Sequence, residues 1–145
     1  MPIKGKLERT FYIPGRLFGV DFESQKVVPK LYARNERLIT VFDTDLGKMG
    51  VIMVGAFLVG GIQPVWMDEP VTDSTSKRPA NDVILDKFEE LGCFKAGSTI
   101  ILLFEPNRID WLLGIKSKEL RAGDPLAIIR DYEIHKSYPK IASYA

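Results

Sequence analysis

The residues of this chain best equipped to do chemistry are Gly97-Ser98-Thr99, and the chemistry would be on the chain itself. Gly97 can take backbone angles closed to other residues, so the peptide bond before Ser98 can sit in a strained turn. A serine hydroxyl beside such a bond can attack the carbonyl on its own N-terminal side. The resulting ester can eliminate to dehydroalanine, which hydrolyses to a pyruvoyl group on a new N-terminus. Such a carbonyl is an electron sink, similar in logic to pyridoxal phosphate. Gly, Ser and Thr are equally at home in an ordinary hairpin turn, so the tripeptide alone leaves both readings open.

Other reactive side chains are few. Cys93 stands five residues before Ser98 among apolar neighbours, and is read as packing. His135 lies in a polar C-terminal stretch beside Lys136 and is read as a surface histidine. One cysteine and one histidine in 145 residues exclude an internal disulfide and argue against a structural zinc site, so no metal is expected. Arg34 and Arg37 flank Asn35-Glu36 and could bind a phosphate head group. A structural ion pair with Glu36 is the preferred reading.

Short strands must position these groups. Residues 5–13 roughly alternate and stop at Pro14-Gly15, a strand and its turn. Val20 to Pro29 reads as a loop or irregular edge, and Leu38 to Thr44 as a strand. Met49 to Ile62 supplies the densest core material, read as two buried strands joined near Gly55 or Gly60. That uncharged run is shorter than the roughly 18–20 apolar residues a spanning helix needs, so no transmembrane span is expected. Residues 67–80 form an exposed polar loop, and 81–85 a further short strand. Ser98-Thr99 opens directly into Ile100-Ile101-Leu102-Leu103-Phe104, an apolar run with strand character. Glu105 to Arg108 is a turn, Ile109 to Leu113 a strand, and residues 119–129 a turn followed by a strand.

Many short strands, frequent Gly/Pro turns and no sustained helical period predict an all-β fold, a compact sandwich or barrel-sandwich hybrid. Residues 1–130 would form that core, and 131–145 a loose tail. The length suits one domain. A net charge of +1 gives no argument for a nucleic-acid partner, and Met1 to Lys6 lacks the apolar stretch of a signal peptide.

Several blocks together resemble the phosphatidylserine decarboxylases. Lys87-Phe88-Glu89-Glu90-Leu91-Gly92-Cys93-Phe94-Lys95-Ala96-Gly97-Ser98-Thr99, then Leu103-Phe104-Glu105-Pro106, is similar to that family's processing segment. Phe88 stands where the family usually has Gly. Leu31-Tyr32-Ala33-Arg34-Asn35-Glu36-Arg37 and Phe42-Asp43-Thr44 resemble its L-[FY]-x-x-N-E-R and F-D-T blocks. Met53-Val54-Gly55-Ala56 and Val59-Gly60-Gly61-Ile62 resemble its V-G-A and V-G-S-I segment, with Gly61 for the usual Ser. The likeness runs from Met1 to about Ile129.

The resemblance implies cleavage between Gly97 and Ser98 and a pyruvoyl cofactor derived from Ser98. Its carbonyl would form an imine with the amine of phosphatidylserine and take up electrons as carbon dioxide leaves, giving phosphatidylethanolamine. Thr99 would position the cofactor or simply pack. The implied partners are phosphatidylserine in the membrane and the second cleavage fragment, or another copy of the chain. The implied location is the cytoplasmic face of a membrane, held peripherally. The family's base for Ser98 is a histidine immediately before a Met-Pro dipeptide, oriented by an aspartate further upstream. This sequence opens on Met1-Pro2. The expectation is therefore an incomplete catalytic core that stays largely uncleaved as written, the alternative being a non-processing sandwich module used for binding or scaffolding.

Overall fold

Strand-forming alternation turns into a curled half-barrel whose inner face carries every second side chain. The computed structural model describes residues 1–57, 61–70, 82–94, 99–112, 119–130 and 141–143. In chain order the elements are β1 (Gly5–Ile13), α1 (Phe22–Val27), α2 (Leu31–Arg34), β2 (Arg37–Thr44), β3 (Gly47–Val54) and β4 (Ile62–Pro64). There follow β5 (Ile84–Leu85), β6 (Gly92–Phe94), β7 (Thr99–Phe104), β8 (Ile109–Trp111), β9 (Pro125–Ile129) and β10 (Ile141–Ser143). The main sheet is antiparallel in the order β5-β1-β2-β3-β7. A three-stranded sheet, β10-β9-β8, and a β4-β6 pair complete the described strands.

Register explains the core. Leu7, Phe42, Met49 and Phe104 form one row across β1, β2, β3 and β7. Thr10, Thr40, Val51 and Leu102 form the next, and Tyr12, Leu38, Met53 and Ile100 the third. Leu7 and Tyr12 are of opposite parity, so a regular strand would put them on opposite faces. A bulge between Leu7 and Arg9 inserts Glu8 and resets the alternation. The inner face is covered by Ala127 with Ile109 and Ile129 at one end, and by Ile62 with Phe94 at the other. Trp66 meets Phe42 edge-on at 6.3 Å between ring centres. The all-β expectation is met as a sandwich-like enclosure of one core.

Between β2 and β3 the chain turns in two residues. Gly47 takes φ +89, and the Thr44 hydroxyl donates to the Gly47 carbonyl at 2.7 Å while accepting from the Leu46 amide at 3.1 Å.

Three expectations need correcting. Residues 20–29 hold a helix, α1: the Asp21 carboxylate accepts from the Glu23 and Ser24 amides and starts it, yet it buries none of its residues. Residues 31–34 make the short helix α2, not a simple lead into β2. The expected loose tail contains β10, which pairs antiparallel with β9. Of the expected 67–80 loop, residues 71–80 lie outside the described residues. None of the described helices is long and apolar enough to cross a membrane.

Candidate active site

Thr99 opens β7, and its backbone position follows from the ladder with β3. Ile13, Arg37, Val54 and Thr99 stand on one row, the last rung at this end of the main sheet. Gly97 and Ser98 lie outside the described residues, as does His135. What the structure supplies is the surroundings of Thr99: the end of the sheet, and a cavity under β3 and β7.

That end of the sheet is tied together by Asn35, which has no exposed surface. Its Oδ1 accepts from the Phe18 amide at 3.0 Å. Its Nδ2 donates to the Phe18 carbonyl at 2.8 Å and to the Gly55 carbonyl at 2.9 Å. The Gly55 amide in turn donates to the Glu36 carbonyl at 2.7 Å, and Leu17 packs over Gly55. One buried amide thus joins the segment after β1, the start of β2 and the residue following Val54. Sequence reasoning noted the Asn35 block but looked to its charges. An uncharged amide between a helix end and a strand start was the signal, because such a site needs a donor and an acceptor at once.

The flanking arginines do something other than expected. The Arg34 guanidinium lies 4.7 Å from the centre of the Phe18 ring. Arg37 donates to the Ala33 and Asn35 carbonyls at 2.8 and 3.0 Å. Among the described residues neither arginine forms the expected ion pair with Glu36, whose carboxyl is instead coupled electrostatically to the Tyr12 hydroxyl. Burial pushes the Glu36 carboxyl above the usual carboxylate range, and the Tyr12 hydroxyl opposes that rise. The Tyr12 hydroxyl is also raised, first by burial and then by the Glu36 charge.

Beneath β3 and β7 lies a cavity of about 220 Å³. Val51 and Met53 line it from β3, Ile100 and Leu102 from β7, and Met1, Pro2 and the segment from Phe88 to Gly92 close it. The two closing pieces are bonded reciprocally. The Phe88 amide donates to the Met1 carbonyl at 2.8 Å, and the Met1 amine donates to the Glu89 carbonyl at 2.5 Å. Burial lowers that amine, against the Glu89 charge, which raises it. Glu89 is fixed by a tight turn: the Asp86 amide donates to its carboxylate at 2.6 Å, and its own amide to the Asp86 carbonyl at 3.1 Å.

Past the cavity, β6 runs so close to β4 that a Cβ on Gly92 would lie 2.6 Å from the Gln63 carbonyl oxygen. Only Gly fits there. Phe94 turns into the core and Cys93 therefore outward: it is a free, exposed thiol, not the packing residue expected. Phe88 has φ +71, a left-handed conformation that a side chain disfavours. No property of the Phe side chain announced that geometry. Among the described residues no three His, Cys, Asp or Glu side chains converge to hold a metal ion.

Comparison with known proteins bears on what these residues serve. Residues 1–128 match the family model described as phosphatidylserine decarboxylase. The chain is 41% identical over 133 residues to the phosphatidylserine decarboxylase proenzyme of Pseudomonas fluorescens (strain Pf0-1), covering 87% of this chain and 45% of that protein. It is 44% identical over 111 residues to the proenzyme of Acinetobacter baylyi (strain ATCC 33305 / BD413 / ADP1), covering 77% of this chain and 39% of that protein. For Bordetella avium (strain 197N) the identity is 40% over 134 residues, covering 88% and 46%. The chain spans less than half the length of each of these relatives.

Proposed function

Because the chain belongs to the phosphatidylserine decarboxylase family, we propose that it is the part of such an enzyme that makes the cofactor from its own backbone and carries out the decarboxylation. In this reading the Ser98 hydroxyl attacks the Gly97 carbonyl carbon, moving the acyl group from nitrogen to oxygen. Elimination then releases the Gly97 carboxylate and leaves dehydroalanine at residue 98. Addition of water and loss of ammonia give the pyruvoyl group. Once formed, that group supplies an electron sink for carbon dioxide release from phosphatidylserine, yielding phosphatidylethanolamine.

The observation that carries the reading is the cavity walled by Ile100 and Leu102, on the strand that Thr99 opens. The described residues next to position 98 are compatible with a carbonyl cofactor there: a half-buried Thr99 and an apolar cavity wall from Ile100 and Leu102. Six register pairs with β3 hold the strand that follows residue 98, and Val51, Met53, Ile100 and Leu102 give the cavity beside that strand apolar walls. Met1 and Pro2 line the same cavity, where a base carried directly ahead of a Met-Pro dipeptide would have to act. A serine hydroxyl is a poor nucleophile without such a base. Thr99, half-buried beside the cleavage point, would orient the new terminus.

A membrane-held substrate must reach this end of the sheet. β1 ends at Ile13 and β2 begins at Arg37 on the row of Thr99, so α1 and α2 hang from the same end. They bring exposed Phe22 and Val27, with Leu17 and Phe57 exposed nearby. Lys26, Lys30 and Arg34 stand among them. Apolar side chains interleaved with cations suit peripheral docking on an anionic bilayer. The partner in this reading is phosphatidylserine in that surface.

The test is intact-mass measurement of the natural full-length protein on a denaturing gel. The expected result is two fragments divided between Gly97 and Ser98, the smaller beginning at a carbonyl-blocked residue. Ser98→Ala should give one uncut, folded and inactive chain. A Ser98→Ala protein that still divides at Gly97 would mean an outside protease makes the cut. A wild-type protein that never divides would favour the non-processing module.

A further inference from the structure

The main sheet is apolar on both faces. Its inner side chains fill the core, but the residues alternating with them stand on the opposite side. Phe11, Ile39, Ile52 and Ile101 make one continuous outer row across β1, β2, β3 and β7. Val41, Gly50 and Leu103, with Arg9 at the end, make the next. Each of these residues is half-buried or exposed, Leu103 at 54%, and none joins either core cluster of the described residues. An antiparallel sheet whose outer face meets water alternates apolar with polar, whereas apolar side chains on both faces belong to strands covered twice.

Gly50 narrows down what covers this face. It lies inside β3 without a positive φ, and a Cβ there would meet nothing nearer than Leu103 at 3.5 Å, an ordinary contact. Neither the backbone nor packing within the protomer requires glycine at that position. Glycine inside a strand weakens it and marks a close approach by another body, which fluid lipid does not demand.

We propose that two copies of the chain pack here, sheet against sheet, about a twofold axis running along the strands between β2 and β3. Such an axis lays Val41 over Gly50 of the second copy and Gly50 over its Val41, a knob into a notch in both directions. The row bordering the apolar ones reads Lys6, Asp43, Lys48. The same axis sets Asp43 over Lys48 of the second copy and Lys48 over its Asp43, so opposite charges meet twice. This is the self-complementarity that a contact between identical surfaces requires, and stacked sheets keep their strands within about 30° of one another. Four strands and three rows span roughly 19 Å by 20 Å, a footprint of about 400 Å² on each copy. That equals the larger apolar patches of monomers and is about half of what each partner gives to a standard interface, which sets the association in the micromolar range. The assignment needs neither residue 98 nor division at Gly97.

Sedimentation equilibrium of the intact protein from about 1 to about 200 µM tests this, with melting temperature measured in parallel. Wild type should show a monomer–dimer equilibrium in that range. Gly50→Val should weaken it about tenfold or more with an unchanged or higher melting temperature. Adding Val41→Ala to Gly50→Val should recover most of the loss, because the new knob then meets a smaller residue. The proposal is overturned if wild type stays monomeric, if Gly50→Val associates like wild type, or if Val41→Ala restores nothing. A monomer that floats with phosphatidylcholine vesicles, and no longer does so as Ile52→Glu, would assign the face to a bilayer. A monomer that floats in neither form would leave the face to another segment of a longer chain, and either result overturns the pairing of copies.

Discussion

Removing the Asn35 side chain should loosen the end of the sheet that carries Thr99. Asn35→Ala leaves three backbone groups without partners: the Phe18 amide, the Phe18 carbonyl and the Gly55 carbonyl. A typical hydrogen bond nets about 0.5–1.5 kcal/mol, and a buried group left unpaired costs about 1–3 kcal/mol. The bond to Gly55 is buried and should carry the larger penalty, while those to Phe18 are partly buried and open to water. The sum is about 3 kcal/mol, or roughly 6–12 °C in melting temperature for a chain of this size. Asn35→Asp sharpens the test. One oxygen can still accept from the Phe18 amide, but the other faces two carbonyls and can serve only one of them, when protonated. The folded-state pKa of that Asp should therefore lie above its unfolded value. Its contribution is fully present below the unfolded value, about 3.9, and is lost as pH rises through the folded one. Thermal unfolding followed by circular dichroism at several pH values is the assay. An Asn35→Ala protein within about 1 kcal/mol of wild type, or an Asn35→Asp protein whose deficit shrinks as pH rises from 4 to 8, would refute the reasoning.

Thr10 and Thr40 face each other across β1 and β2, yet should respond oppositely to Val. The Thr10 hydroxyl is buried without a partner, so Thr10→Val should gain about 1 kcal/mol; Thr40 donates to the Val51 carbonyl at 2.9 Å, so Thr40→Val should lose about 1 kcal/mol in urea unfolding. Glu36 is raised by burial, so its contribution is whole below the ordinary carboxylate value and is lost as pH rises through the folded one. Wild type should therefore lose stability relative to Glu36→Gln between acidic and neutral pH, and parallel pH–stability curves for the two would count against it. If the chain divides at Gly97 as proposed, six β3–β7 register pairs and the seating of Leu102 and Phe104 against the core should keep both fragments together on native size exclusion. They should part only in denaturant; release of the smaller fragment in native buffer would contradict the ladder.

Local signals were enough for the strands that alternate over six or more residues, because a buried face every second residue is written into the chain. β1 was legible that way, while β2, β3 and β7 were legible as apolar runs between turn signals. α1 carried an Asp21 cap but buries nothing, and a helix without a buried face leaves no period to read. β6 and β10, at three residues, are too short for alternation to declare which side faces in, so Cys93 was misassigned. Closure of the chain decided the rest. Glu8 is an inserted residue only because β2 continues without one, and Arg34 and Arg37 face a ring and carbonyls that the fold brings to them. Phe88 is left-handed because Met1, far off in sequence, takes its amide, and the cavity beside Ile100 exists only once those distant segments meet. Short-range patterns register what a residue prefers; which preference is overruled depends on contacts that form only when the sheet closes.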